Sequence, residues 1–211
     1  MRKFLKAEFA RFDLHFAREI VAITILSTLL LMVDYYERLT PRKEIDRVAL
    51  YLLIPLLVIV LAFRKSPREY GFQWGDWRVG LALTGIVAAL AAPLLWLIAR
   101  SDAAMLRYYA QQWSAAAPVY VFLDLIGWEF FFRGFLLFGY ARKFGSHALW
   151  LQAVPFAMAH LSKPAVETYS TLFGGFLFGL VAWRTKSFVY PFLIHWFISV
   201  FTIFAAAGAG V

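Results

Sequence analysis

Six ionisable side chains lie within or at the edges of long apolar runs: Asp124, Glu129, Arg133, His160, Glu167 and His195. An ionisable group at the centre of a helix in lipid costs about 2.5–3.5 kcal/mol on insertion scales. Such groups are expected to face a protein interior and to have partners there. Glu129 and Arg133 are four apart in WEFFFR, so they share a helix face and can pair. His160 follows Phe156 by one turn in FAMAH, and His195 and Ser199 are one turn apart in HWFIS. One carboxylate, one arginine and two histidines on three inward helices form a set suited to activating water.

Each member also has a purely structural reading. Glu129 and Arg133 could be a neutralised pair that helps assembly, and Ser199 could bond only its own backbone. Glu167 falls in the first turn of a helix, where a carboxylate complements the helix dipole. Asp124 lies about 140° around the helix from Glu129 at 100° per residue. It is expected to face elsewhere and to be structural.

These residues must be carried by apolar helices. The chain has 211 residues, of which 62% are hydrophobic and 16% charged. Soluble domains have about 45–50% apolar and about 25% charged residues. The composition excludes a disordered chain, a collagen-like chain and an ordinary cytosolic enzyme. It points to one integral membrane domain over residues 1–211, all-α and multi-pass, with lipid solvating its outside. With no cysteine in the chain, disulfides, cysteine nucleophiles and thiolate metal sites are excluded.

Seven apolar segments are expected: Ile20 to Tyr36, Val48 to Phe63, Val79 to Ala99, Pro118 to Ala141, Ala148 to Leu161, Pro164 to Trp183 and Phe188 to Ala207. The first, second and fifth are short against the ~20 residues a span needs. Residues 1–19 carry Leu5, Phe9, Phe12, Phe16 and Ile20 at helical spacing, with charges mostly on the other side. They predict an amphipathic helix in the interface. Residues 101–118 predict a second surface helix, with Tyr108, Tyr109 and Trp113 at headgroup level. Gly175 and Gly179 form a small-xxx-small face for close helix packing.

The net charge is +8. In this setting it reads as positive-inside bias and attraction to anionic lipid, not nucleic-acid binding. With the N-terminus inside, thirteen bases fall on the inner segments and seven on the outer ones. The expected location is therefore an integral membrane protein with a cytoplasmic N-terminus, in the plasma membrane if the host is prokaryotic. Arg38, Arg42, Lys43 and Arg47 run against this bias.

The three motifs resemble the CPBP family, also called the ABI family, which contains type II CAAX prenyl endopeptidases and bacteriocin-processing or self-immunity proteins. Its pattern is Glu-Glu-x-x-x-Arg, Phe-x-x-x-His and His-x-x-x-Asn on successive helices. WEFFFR (128–133), FAMAH (156–160) and HWFIS (195–199) match in order and spacing, across about residues 118–205. EYGFQWGDWRVG resembles the loop that precedes the family's core. Trp128 stands where the pattern has its first glutamate, and Ser199 where asparagine is common.

The resemblance implies an intramembrane endopeptidase. Glu129 would act as general base on a water, and Arg133 would hold its orientation and charge. His160 and His195 would bind that water and stabilise the oxyanion, with Ser199 orienting His195 and Glu167 available as a second carboxylate. The substrate would be a membrane-bound peptide or lipid-modified protein, and membrane lipids the other partners. No cofactor is required, although Glu129, His160 and His195 match a three-ligand zinc site in number. The alternatives are a non-catalytic immunity or binding protein of the same fold and, less favoured, a proton-coupled transporter, for which no internal repeat is found.

Overall fold

The computed structural model describes residues 16–208, all helix and connecting turns, with no strand among them. Most of the amphipathic helix expected over residues 1–19 lies outside the described residues. Helix α1 runs Arg18–Tyr36 and α2 Lys43–Ala62. Two π-helical stretches of α2, Ala49–Leu53 and Val58–Ala62, lie on either side of Pro55. A proline has no N–H to donate and interrupts the α-helical ladder, and wider turns take up the mismatch.

A capped turn follows. The Ser66 hydroxyl accepts from the Arg68 N–H, and Glu69 reaches back to the Ser66 N–H. Asp76 then caps α3, Trp77–Ser101, by accepting from the Val79 N–H. Its carboxyl is held below the usual range, chiefly by the Arg184 guanidinium at 3.0 Å and also by that N–H. The short α4, Ala103–Ala110, is capped by Asp102.

Helix α5, Ala117–Glu129, passes through a π-helical stretch, Phe130–Leu136, into α6, Leu137–Phe144. The π stretch is the hub of the bundle, and every side chain from Phe130 to Leu136 is buried. It packs against α1, α2, α7, α8 and α9. The remaining helices are α7, Ala148–Met158, α8, Ala165–Thr185, and α9, Val189–Ala207.

Helices α1, α2, α3, α8 and α9 are each long and apolar enough to cross a membrane. The run from α5 through α6 adds 13, 7 and 8 helical residues end to end. The protein is thus a multi-pass helical membrane protein. The expectation of an apolar helix from Ala148 to Leu161 is corrected: α7 has 11 residues. At 1.5 Å per residue it is about 17 Å long, well under the ~30 Å hydrocarbon core. The chain turns at 159–163 before α8, and that turn holds His160.

Two close approaches set where the site residues stand. At Gly175 and Gly179, α8 lies directly on α7: added Cβ atoms would meet Phe156 at 2.9 Å and Gln152 at 2.8 Å. The Gln152 amide crosses the seam to the Gly175 carbonyl at 2.8 Å. At Gly127, a Cβ would lie 2.5 Å from the Arg47 carbonyl oxygen of α2. That contact is backbone and cannot swing aside. Gly127→Ala is therefore expected to cost about 1–3 kcal/mol through overpacking. It should lower the melting temperature in detergent, whereas Gly174→Ala, with open space at its Cβ, should leave it unchanged.

Candidate active site

Glu129 is the last residue of α5, and Arg133 lies one turn on, inside the π stretch. Both are fully buried. Arg133 Nε is 3.3 Å from Glu129 Oε2. The guanidinium has no hydrogen-bond partner among the described residues. Its charge is met by Glu129 and by aromatic faces: the ring centroids of Phe156 (3.9 Å), Phe178 (5.2 Å) and Phe132 (5.7 Å) surround it. Desolvated cation–π contacts contribute about 2 kcal/mol or more. Arg133 thereby ties α7 and α8 to the central helix.

The other carboxylate oxygen, Glu129 Oε1, is 2.6 Å from His195 Nδ1 of α9. With Glu129 ionised, the oxygen can only accept, so Nδ1 carries the hydrogen and donates it. His160 is fixed in the same way. Its Nδ1 is 2.7 Å from the Phe156 carbonyl, which can only accept. The His160 backbone is itself held by the Thr168 hydroxyl, which donates to the His160 carbonyl at 2.6 Å. The rotation of α9 is pinned by Trp196, whose indole N–H donates to the Pro118 carbonyl at 2.9 Å. The two imidazoles lie 6.4 Å apart between centroids, at 29° between planes, and Phe156 touches both. In the neutral form of each ring, Nε2 is then the nitrogen that carries the lone pair.

Both imidazoles line one cavity of about 250 Å³, together with Asp124, Trp128, Glu167 and Ser199. Glu129 is not part of that wall. It stands behind His195, with 0% exposure. The side chain aimed at the cavity is therefore the imidazole, and the carboxylate acts on it from behind. Ser199 lines the cavity but forms no hydrogen bond to His195, whose Nδ1 partner is Glu129. Glu167 does join the two histidines. It accepts from the Tyr109 hydroxyl at 2.6 Å and lies 3.7 Å from Lys163 Nζ. Burial first, then the Glu167 charge, pushes the Tyr109 phenol well above its ordinary value. It stays a donor to Glu167 at any ordinary pH.

Asp124 does face away from Glu129, but the side it faces is the cavity. There it takes Arg47 Nη1 at 2.6 Å. Arg47 also reaches Asp34 at 3.4 Å and sits over the Trp128 ring at 4.5 Å. A base and two acids at the margins of three apolar runs were the available signal.

A zinc ion held by Glu129, His160 and His195 does not fit. Glu129 has one oxygen on His195 and the other on Arg133, which is the position of a carboxylate that orients a histidine, not of a ligand. Trp128 offers no donor lone pair in its place. Among the described residues no three His, Asp or Glu side chains converge as a ligand group.

A membrane bundle with two cavity-facing imidazoles, one backed by a buried carboxylate, defines a class of site suited to hydrolysis inside the bilayer. Residues 110–201 match the family model described as type II CAAX prenyl endopeptidase Rce1-like. The matched stretch carries all three motifs and begins just before α5. This is a protease family, and the resemblance carried by the motifs is met at that level. No curated protein and no solved structure matches the chain.

Proposed function

We propose that this protein is an intramembrane endopeptidase that cleaves a membrane-bound or lipid-modified peptide without a metal. The Glu129–His195 hydrogen bond at 2.6 Å, at the wall of a cavity shared with His160, carries the reading. His195 Nε2 takes a proton from water as the oxygen attacks the peptide carbonyl. Glu129 stabilises the imidazolium that forms, and His160 Nε2 helps hold the same water. The tetrahedral oxyanion then collapses, and His195 returns the proton to the leaving amine. Glu129 thus serves as the positioning carboxylate and His195 as the base, a revision of the roles suggested by the resemblance. Arg133 supplies the cation paired with Glu129. The bundle sits in the membrane with its N-terminus on the cytoplasmic side, as the count of bases indicates.

The test is reconstitution of the protein in vesicles with membrane-anchored peptides, some prenylated, some acylated and some bare, with products read by mass spectrometry. Cleavage that persists in excess chelator is expected. Complete loss of cleavage on chelation would overturn the metal-free route.

One observation favours a second reading, a binding or immunity protein without catalysis: Trp128, in the cavity wall, stands where the motif this chain resembles has its first glutamate. Trp128→Glu separates the two readings. The new carboxylate would stand near Arg47, whose guanidinium now lies 4.5 Å from the ring centre. It would also stand beside His160, now 5.8 Å from Trp128 between ring centroids. A hydrolase should gain rate, about tenfold or more for a second positioned base. A binding protein should gain none.

A further inference from the structure

A second opening, distinct from the histidine cavity, runs between α1 and α7. Its volume is about 680 Å³, within the ~300–1,000 Å³ usual for ligand sites. One end is apolar, walled by Leu31 and Met32 of α1 and by Val154 and Met158 of α7. The other end is basic, walled by Arg38, Lys43 and Arg47. Tyr35 and Tyr36, largely exposed at the end of α1, mark that end as the headgroup level of the bilayer.

The basic end belongs to the cluster that runs against the positive-inside count, and the ion pairs sort its members. Arg42 is taken by Glu44 at 2.8 Å, and Arg47 by Asp34 and Asp124. Asp34, the one carboxylate in the groove wall, shares Arg47 with Asp124. Arg38 and Lys43 have no acidic partner among the described residues. Three bases, Arg38, Lys43 and Arg47, against two acids, Asp34 and Asp124, leave the mouth net positive, which a groove for a neutral chain alone does not need. A chain with an anionic head matches both ends.

We propose that the α1–α7 groove binds an anionic phospholipid, with its acyl chain along Leu31, Met32, Val154 and Met158 and its phosphate against Arg38 and Lys43. The inference stands whether or not the histidine site hydrolyses peptides. Lys43, Arg47 and Trp128 wall both openings, so the lipid lies next to the histidine cavity. Arg38 and Lys43 are then headgroup ligands and carry no information about topology.

The test uses the full chain, extracted from vesicles of equal phosphatidylglycerol and phosphatidylcholine, with retained lipid read by native mass spectrometry. Phosphatidylglycerol should be retained in preference. At about 1 kcal/mol for each base near the surface, Arg38→Gln and Lys43→Gln should each weaken retention about fivefold, and together about 25-fold. Arg68→Gln, which removes the same charge from the turn before α3, should leave it unchanged. Met158→Trp, which fills the apolar end with all charges kept, should also release the lipid. Equal retention of both lipids by the wild type would overturn the proposal, even if the charge variants failed to fold. So would equal losses from Arg68→Gln and the groove variants, which would show diffuse attraction only.

Discussion

His195→Ala should abolish most peptide cleavage, by about 10²–10⁴-fold in kcat, because it removes the cavity imidazole with a carboxylate behind it. Glu129→Gln should lose a comparable factor by a different route. The glutamine carbonyl can still accept from Nδ1–H, but the negative charge that stabilises the imidazolium is gone, and the amide can instead turn its NH₂ toward the ring and select the wrong tautomer. In the Ser-His-Asp proteases the equivalent acid-to-amide change costs about 10⁴-fold, so the comparison is of similar size. The two changes act on one unit, so His195→Ala/Glu129→Gln should fall no further than the worse single variant. Multiplicative losses, read from initial rates in vesicles, would mean that the carboxylate works on substrate independently of His195.

The second large effect is on stability. Arg133→Met leaves Glu129 fully buried without its arginine partner and should destabilise the fold by about 3–5 kcal/mol. Glu129→Leu leaves Arg133 in the same position with the sign reversed, although the faces of Phe156 and Phe178 soften that loss. The double variant Glu129→Leu/Arg133→Met removes both charges and keeps the volume. It should be more stable than either single change, since apolar replacement of a buried pair is often neutral or stabilising. Thermal unfolding in detergent, followed by helical circular dichroism, reads all three. A double variant as unstable as the sum of the singles would show that each side chain has its own indispensable contacts.

The helices were legible because their signal is redundant: a dozen or more apolar residues must agree before a segment crosses lipid. The bounds of α1, α3, α8 and α9 lie within a few residues of the runs read from the sequence. At α7 the signal misled, because apolar residues cover the short helix and then continue into the turn that presents His160. The i, i+4 geometry of Glu129 and Arg133 was legible for the same local reason. What no local rule could supply was depth. Whether Glu129 stands in the cavity or behind His195 depends on how α5 and α9 are rotated, and contacts far apart in sequence, such as Trp196 on Pro118, fix that rotation. The same holds for Asp124, whose partner Arg47 comes from another helix.

The proposed hydrolysis requires Glu129 to hold His195 with its hydrogen on Nδ1 and its lone pair on the cavity side. Nitrogen-15 solid-state NMR of histidine-labelled protein in bilayers, with His195→Ala used to assign the signal, reads that hydrogen directly. The prediction is a protonated Nδ1 and an unprotonated Nε2 for His195 at neutral pH, with the Nδ1–H shift altered in Glu129→Gln. A His195 with its hydrogen on Nε2, unaffected by the change at 129, would remove the base from the cavity and contradict the proposed chemistry.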